Sequence, residues 1–284
     1  MVSPANEEQE DYWNKQAGPK WVELQSFIDA QLQDLGAAAM DRLGPIDGAT
    51  VLDVGCGCGT TTMQLARRVG ETGAVVGIDL SGPMLERARE TARASGIRNA
   101  TFQQADAQVH SFSQRFGAVF SRFGVMFFAE PEKAFANLHG AMREDGVLSF
   151  VCWRSIDQND WMIVPLRAAL EHLPPPPIPD PNAPGPFAFA DGDRVRRILT
   201  AAGFTGIEVD RHDSALQIGK GRPLAEIVRI VMQMGPTSRL LGDAALPDLQ
   251  ARVAESIQTA LQPYLDENGI LMRGSTWMVR ARRA

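Results

Sequence analysis

The chain lacks any long hydrophobic run, and this absence limits where it can reside. None of its 284 residues belongs to an apolar stretch of about eighteen residues, the length that crosses a bilayer. The first eight residues are acidic and polar, unlike a secretory signal. We therefore expect a cytoplasmic protein with no membrane span.

Positive charge is also scarce. The chain has 28 Lys and Arg against 34 Asp and Glu, which gives a formal net charge of −6. Proteins that bind nucleic acids usually need a basic footprint, so no nucleic-acid partner is expected. The arginines that cluster at 194–197 and at 280–283 are interpreted as solvated faces.

Cysteine is rare, with three residues in the chain. Cys56 and Cys58 lie two positions apart inside a glycine-rich turn, and Cys152 lies far from both. No histidine stands at metal-ligand spacing from them, so neither a zinc site nor a disulfide is predicted. We interpret the pair as small side chains in a tight turn, and we expect no metal.

A strand that runs directly into a glycine-rich turn is the most informative feature of the chain. Residues 51–54 (Val-Leu-Asp-Val) read as a buried strand, and glycines follow at positions 55, 57 and 59. Glycine lets the backbone approach a ligand closely. Asp79 ends a second apolar run, twenty residues after the last of these glycines. This arrangement is typical of a βαβ unit that binds a nucleoside, in which the acid accepts hydrogen bonds from the ribose hydroxyls.

The glycine spacing excludes the commonest nucleoside ligands. Thr60 stands where the dinucleotide pattern G-x-G-x-x-G places its third glycine, and no Gly-Lys-Ser/Thr follows for a phosphate-binding loop. Asp53, directly before the turn, favours a cationic amino-acid group over a phosphate near the ligand. In these residues the chain resembles the class I S-adenosylmethionine-dependent methyltransferases.

Further segments resemble motifs of the same family, between about residues 50 and 153. Residues 79–85 resemble the second motif, whose acid binds ribose and whose next apolar side chain packs on adenine. Residues 102–107 resemble the third motif, which implies that Asp106 accepts a hydrogen bond from the adenine amino group. Residues 116–123 resemble the fourth strand and the loop beside the methyl donor.

The resemblance implies S-adenosyl-L-methionine as the cofactor and S-adenosyl-L-homocysteine as its product. The chain departs from the family at Gly117, where an acid is common, and at residues 143–146, which replace a Pro-Gly turn. The residues that the resemblance assigns to the cofactor are Asp53, Gly55, Cys56, Gly57, Gly59, Asp79, Leu80, Met84, Asp106, Ala107, Ser121 and Arg122.

An α/β fold is predicted, with a Rossmann-like seven-stranded sheet of six parallel strands and an antiparallel last strand. Helices flank this sheet, and an α-helical cap is inserted into the same domain. Residues 1–45 form an N-terminal helical lid segment. Residues 46–213 and 275–284 form the methyltransferase core, and residues 214–274 form the cap.

Two added segments stand out by composition. The proline run at 174–177 favours an extended conformation and is interpreted as a stiff surface connection. Residues 224–234 and 249–265 have the periodicity of amphipathic helices, with a Gly-Pro pair and a further glycine between them. We interpret them as a cap over the substrate pocket, and a homodimer through this cap is left open.

Aromatic residues near the N-terminus indicate a lid, because in similar enzymes such a segment folds over the cofactor. Tyr12 and Trp13 are the candidates, with Lys15 and Lys20 as second choices, and the alternative is a helix packed outside the domain. A hydrophobic acceptor pocket is expected from side chains of types that more often form plain core, which is the alternative. They are Arg122, Phe123, Met126, Phe127, Trp153, Trp161, Met232 and Met234.

No residue is identified as a general base. A sulfonium methyl is already activated, so such an enzyme mainly aligns a nucleophile and excludes water. His172 and His212 fall nearest the expected pocket and are the candidates if a base is used.

The predicted function is methyl transfer by in-line displacement to a small, largely apolar or aromatic metabolite, which is the expected partner. Two alternatives stay open. One is a methyltransferase that acts on tRNA or protein, and the other is a non-catalytic member of the fold that binds the cofactor.

Overall fold

The computed structural model describes residues 2–176, 180–242 and 246–284, and eight strands in this part of the chain form one sheet. The strands are β1 (Thr50–Val54), β2 (Ala74–Asp79), β3 (Ala100–Gln104), β4 (Phe116–Arg122), β5 (Met142–Trp153), β6 (Thr205–Ile218), β7 (Leu265–Asp266) and β8 (Gly269–Arg282). Their order is β3-β2-β1-β4-β5-β8-β6, and β7 pairs with β8. Strand β8 runs antiparallel to both of its neighbours, β5 and β6.

Helices flank this sheet and connect its strands. They are α1 (Glu7–Asp11), α2 (Ala17–Glu23), α3 (Gln25–Asp41), α4 (Thr60–Val69), α5 (Gly82–Ala94), α6 (Pro131–Ala141), α7 (Asp160–Ala169), α8 (Gly192–Ala201), α9 (Leu224–Val231), α10 (Gly235–Leu241) and α11 (Pro247–Leu261). A π-helical turn, Tyr12–Gln16, joins α1 to α2.

The hydrophobic core lies on both faces of the central strands. Val51 and Leu52 of β1 are fully buried, because a parallel strand in the middle of such a sheet is covered on both faces. Strand β1 pairs with β2 on one side and with β4 on the other, so the connections leave it in opposite directions. Strands that diverge in this way open a crevice at their carboxyl ends, where ligands bind in open α/β sheets.

The predicted fold class is confirmed. Six strands run parallel and the last long strand is antiparallel, while the additional strand β7 has only two residues. The N-terminal segment, predicted to be helical over residues 1–45, is largely helical from Glu7 to Asp41, and the chain then turns at Gly44 with φ 74°.

The predicted limits of the cap, 214 and 274, are too wide at both ends. Strands β6 and β8 continue their pairing as far as Ile218 and Ile270. Leu216 and Met272 are also buried, so every second residue of this extension packs inward and keeps both strands regular.

Three helices, rather than the predicted two, lie in the segment that was predicted to be a cap. The predictions at 224–234 and 249–265 correspond to α9 and α11, which end at Val231 and Leu261. Helix α10 begins at the Gly-Pro pair that had been interpreted as a separator. Proline is well tolerated in the first turn of a helix, so the pair starts a helix there.

Two further expectations concern the surface. Residues 174–176 of the proline run form neither helix nor strand, and its last residue, Pro177, lies outside the described residues. No helix in the described ranges is both long and apolar enough to span a membrane.

Candidate functional site

A cavity of about 190 Å³ lies at the carboxyl ends of β1, β2 and β4. Its wall draws on parts of the chain that are distant in sequence, from Asn6 to Gly235. The sequence-predicted residues that line it are Trp13, Gly55, Gly57, Asp79, Leu80, Met84, Asp106, Ala107, Arg122, Phe123, Met126, Phe127, Trp153, Trp161 and Met234.

The glycine turn forms one wall of the cavity with its backbone. Gly55 and Gly57 have φ of 68° and 54°, in the left-handed region that favours glycine. A Cβ on Gly55 would lie 2.7 Å from Cα of Gly124, and a Cβ on Gly57 would lie 2.8 Å from Cε of Met84. The turn therefore needs glycine for its conformation and for close packing as well.

Asp79 stands at the end of β2, at the edge of the cavity. Its Oδ2 accepts a hydrogen bond from the Gly57 amide (2.8 Å) and its Oδ1 accepts one from the Ser81 amide (2.9 Å). Burial raises the pKa of this carboxyl, and the backbone amides oppose the rise by stabilising the charge. Each oxygen keeps a second lone pair, so the carboxylate is held in place and can still accept from a ligand.

Asp106 is almost fully buried and holds the N-terminal segment against the cavity. Its Oδ2 accepts a hydrogen bond from the Ser3 amide (3.0 Å), and its Oδ1 accepts one from the Gln108 amide (2.9 Å). Asn6 follows in the same turn and lines the cavity, and its Oδ1 is buried with no hydrogen-bond partner. An acceptor of this kind is open to a donor group of a ligand.

Asp53 does not line the cavity, contrary to the expectation that its charge would face the ligand. It is fully buried, and its Oδ2 accepts hydrogen bonds from the hydroxyls of Thr61 (2.7 Å) and Thr62 (2.6 Å). The reason is that the first turn of α4 lies over the end of β1 and turns both hydroxyls toward this side chain. Burial raises the pKa of Asp53 to about 6, although the two hydroxyl bonds and Arg122 lower it.

Cys56, Gly59 and Ser121 also lie behind the wall of the cavity. A Cβ on Gly59 would lie 2.8 Å from the side chains of Ala88 and Phe102, so this glycine allows close packing of helix on sheet. The Ser121 hydroxyl donates to the carbonyl oxygen of Val54 (2.7 Å), because it joins β4 to β1 inside the sheet. Cys56 is likewise buried, and Cys58 lines the cavity instead.

The N-terminal segment closes over the loops that follow β2. The Ser81 hydroxyl donates to the carbonyl oxygen of Trp13 (2.9 Å), and the Asn14 amide group donates to the carbonyl oxygen of Leu80 (3.0 Å). The Trp13 ring packs edge-on against Phe127, with ring centroids 5.1 Å apart.

The other lid candidates lie outside the cavity lining. Tyr12 contacts the cap through Arg239, whose guanidinium lies 5.1 Å from the centre of its ring. Lys15 forms an exposed ion pair with Asp11 (2.8 Å), and Lys20 does not line the cavity either.

Helix α3 supplies polar groups to the cavity that the sequence analysis missed. Arg122 pairs with Asp29 (2.7 Å), and the other oxygen of Asp29 accepts from the Thr60 hydroxyl (2.6 Å). Gln25 and Gln31 line the cavity from the same helix. In the sequence these residues stand out only as polar residues at helical spacing beside an apolar face. Solvent-exposed helices have the same pattern, so it does not indicate a cavity.

Aromatic rings form the opposite wall. Phe123 has φ 60°, an uncommon conformation for a non-glycine residue, and its ring stacks on Trp153 at 4.2 Å between centroids. Trp153 in turn packs against Trp161 at 5.1 Å. Of the predicted pocket residues, Met232 alone lies outside this lining.

Neither candidate base lies in the cavity. His172 is hydrogen-bonded through Nε2 to the Ser256 hydroxyl (2.8 Å), and His212 pairs with Thr276 within the sheet. Burial raises the pKa of Cys58 to about 12, so its thiol is neutral. Within the described ranges, no group of three His, Cys, Asp or Glu is arranged to hold a metal ion.

Comparisons with known proteins agree with this geometry. A family described as methyltransferase domain matches residues 51–146. Aklanonic acid methyltransferase DauC of Streptomyces sp. strain C5 is 31% identical over 148 residues, which cover 49% of this chain and 67% of that protein. Ubiquinone/menaquinone biosynthesis C-methyltransferase UbiE of Escherichia fergusonii is 36% identical over 111 residues, which cover 38% of this chain and 44% of UbiE. The match thus spans less than half of UbiE.

A solved structure shares the fold. Phosphoethanolamine N-methyltransferase 2 of Haemonchus contortus, in complex with S-adenosyl-L-methionine, superposes with a TM-score of 0.59 over 100% of this chain and 60% of that one. Its sequence identity is 19%, so this similarity concerns the fold alone. The family match and the relative DauC, together with the glycine turn and Asp79, lead to one conclusion. The chain belongs to the class I S-adenosylmethionine-dependent methyltransferases.

Proposed function

We propose that this methyltransferase transfers a methyl group from S-adenosyl-L-methionine to a small, largely apolar or aromatic metabolite. The observation that carries the proposal is the two-part lining of the cavity. One part is the glycine turn with the carboxylates Asp79 and Asp106, and the other is the aromatic wall around Trp153.

The first part fits the cofactor. A Cβ on Gly57 would lie 2.8 Å from Cε of Met84, so glycine at this position lets the turn and Met84 both line the cavity without a clash. The fixed carboxylate of Asp79 suits the two ribose hydroxyls. The unpartnered Oδ1 of Asn6, beside the loop of Asp106, suits the amino group of adenine.

The second part fits the acceptor. Phe123, Trp153 and Trp161 offer flat apolar surface, and Met126 and Met162 add flexible thioethers that adapt to an irregular ligand. The names of DauC and UbiE refer to aklanonic acid and to the biosynthesis of quinones, and these compounds are small molecules. These names support a small-molecule acceptor here without selecting one.

The task of the protein residues is to position the acceptor and to exclude water from the cavity. When bound, the cofactor supplies an activated sulfonium methyl. The described lining contains no histidine, and its carboxylates are engaged: Asp29 by Arg122 and Thr60, and Asp79 and Asp106 by backbone amides. We therefore propose an acceptor that reacts without a protein base, held in a cavity that Trp13 and the N-terminal segment cover as a lid.

The first experiment is calorimetric titration of the protein with S-adenosyl-L-methionine and S-adenosyl-L-homocysteine, with NAD as the control. We expect both methyl-cycle ligands to bind and NAD not to bind. Binding would justify a screen of aromatic acceptors for methyl transfer. Failure of both ligands to bind would overturn the proposed function.

Substitution of Asp79 tests the assignment of the ribose contacts. We expect Asp79→Ala to weaken S-adenosyl-L-homocysteine binding by roughly 100-fold, because two hydrogen bonds to a charged acceptor are lost. Glu86→Ala, which removes an exposed carboxylate from the adjacent helix α5, is the control and should leave affinity unchanged. Equal affinity of both variants, measured by calorimetry with folding checked by circular dichroism, would contradict the assignment.

The alternative functions predict different results. A methyltransferase that acts on RNA would bind RNA with a steep dependence on salt, which the net charge of −6 disfavours. A non-catalytic member would bind the cofactor and show no turnover with any acceptor in the screen.

A further inference from the structure

Two hydrogen-bond donors in the cavity wall have no partner. They are Nε1 of Trp161 and Nε2 of Gln31, both buried, and both residues line the cavity. A buried N–H without an acceptor lowers the free energy of unfolding by about 1–3 kcal/mol, so buried donors rarely lack a hydrogen-bond partner. An acceptor atom of a bound ligand would remove this cost.

The rings beside these donors define the shape that such a ligand needs. Trp153 lies almost parallel to Phe123, with an angle of 14° between the ring planes, and Trp161 is inclined to Trp153 by 54°. Flat walls of this kind pack best against a planar group, through offset stacking or edge-on contact. Trp161 therefore contributes a ring face and an N–H to the same wall.

We propose that the acceptor substrate is a planar, oxygenated ring compound whose carbonyl or hydroxyl oxygen atoms accept hydrogen bonds from Trp161 and Gln31. Trp161 is thereby a specificity-determining residue. This inference rests on the proposed function, since it concerns the substrate of the same cavity.

The charges of the cavity support oxygen rather than an amine or a phosphate. An indole N–H donates only, so an ammonium group would leave Trp161 unsatisfied. A phosphate needs a free cation, whereas the one Lys or Arg in the described lining, Arg122, is paired with Asp29. Carbonyl and neutral hydroxyl oxygens accept hydrogen bonds and, unlike an anion, need no charge from the wall.

A pair of probes that differ in one oxygen tests the inference. The probes are 2-acetylnaphthalene, which has a carbonyl oxygen, and 2-isopropenylnaphthalene, which has nearly the same shape without it. Their affinities are measured by equilibrium dialysis with saturating S-adenosyl-L-homocysteine. We expect the protein to prefer the ketone by about tenfold, the value of one hydrogen bond to a buried donor.

Two matched variants assign the preference to one side chain. Trp161→Phe keeps an aromatic ring and removes the N–H, so the preference should fall to about twofold or less while the hydrocarbon probe binds as before. Trp153→Phe makes the same change in the neighbouring ring, whose N–H is not among the orphaned donors, and should keep the preference. Gln31→Leu should reduce the preference in part.

The outcomes separate this inference from the proposed function. Absence of S-adenosyl-L-homocysteine binding would overturn both. Cofactor binding without a preference for the ketone, or without binding of either probe, would overturn the inference alone. A preference that persists in both Trp161→Phe and Gln31→Leu would overturn it as well, and if Trp161→Phe fails to fold, Gln31→Leu decides.

Discussion

Asp53 shows how one side chain can organise a site without touching a ligand. Its carboxylate receives the hydroxyls of Thr61 and Thr62 and so fixes the first turn of α4, which carries Thr60 to the edge of the cavity. The second carboxylate oxygen, Oδ1, is buried without a partner. This arrangement keeps the turn in place at a cost in stability whenever Asp53 is ionised.

That cost is predicted to appear as a pH dependence. Burial raises the pKa of Asp53 from 3.8 to about 6, so the folded protein holds a proton that the unfolded chain releases between these values. The free energy of unfolding therefore falls as pH rises from about 4 to about 6, by up to about 3 kcal/mol. Asp53→Asn should remove this fall, measured by urea unfolding of both proteins across that range. The prediction fails if the two proteins have parallel pH profiles.

The cavity residues at the ends of β1 and β2 could be predicted because their position follows from local sequence. Gly57 and Asp79 belong to a strand, turn and strand that dictate where the backbone goes. The direction in which Asp53 points could not be predicted, since it depends on which face of β1 is covered by α4. Asp29 and Gln31 were missed for a related reason, because a polar residue on a helix faces a cavity only after the helix is docked.

Helix packing at the N-terminal segment depends on a single small residue. A Cβ on Gly18 of α2 would lie 2.1 Å from the carbonyl oxygen of Trp13 and 2.4 Å from Oγ of Ser81. These are the two atoms that share the hydrogen bond between the segment and the loop after β2. The segment therefore docks only if position 18 has no side chain.

Gly18→Ala is predicted to detach the segment while the sheet stays folded. Overpacking costs about 1–3 kcal/mol, so trypsin cleavage after Lys15 and Lys20 should accelerate roughly tenfold or more. Gly140→Ala, in α6 where no atom lies within 4 Å of the added Cβ, is the control and should cleave like the unaltered protein. Equal cleavage rates for the two variants would show that the contact at Gly18 does not hold the segment.

Among the strands, the length of the β6–β8 hairpin was underestimated. Its inner residues, Leu216 and Met272, alternate with more exposed ones. This alternation is visible in the sequence, but it extends over few residues on each strand. Pairing partners fifty or more positions apart cannot be recognised from one strand alone, because the register emerges only when both are placed side by side.

Across the whole molecule, the cavity is the point where distant segments meet. Trp13 from the N-terminal segment, Asp79 from the sheet, Trp161 from α7 and Met234 from the cap all line it. The contact of Tyr12 with Arg239 also joins the segment directly to the cap. A ligand that fills the cavity therefore links all of these parts.

Ligand binding is predicted to stabilise the protein as a unit. S-adenosyl-L-homocysteine at 100 times its Kd should add about 2.7 kcal/mol, which raises Tm by roughly 5 °C, and should slow trypsin cleavage at Lys15. NAD at the same concentration should change neither value. A rise in Tm without slower cleavage would mean that the segment does not close on the bound ligand. Scanning calorimetry and timed proteolysis measure the two effects.

The position of β8 between β5 and β6 has a consequence for synthesis on the ribosome. The segment that contains strands β1 to β5, together with Asp79, Asp106 and the glycine turn, leaves the ribosome as a continuous parallel set. Strand β6 emerges later and, in the described part of the chain, pairs with β8 alone, whose residues follow only after helices α9 to α11. We therefore expect the nascent chain to assemble the part of the sheet beside the glycine turn first, while the backbone of β6 stays open to mispairing until the final long strand arrives.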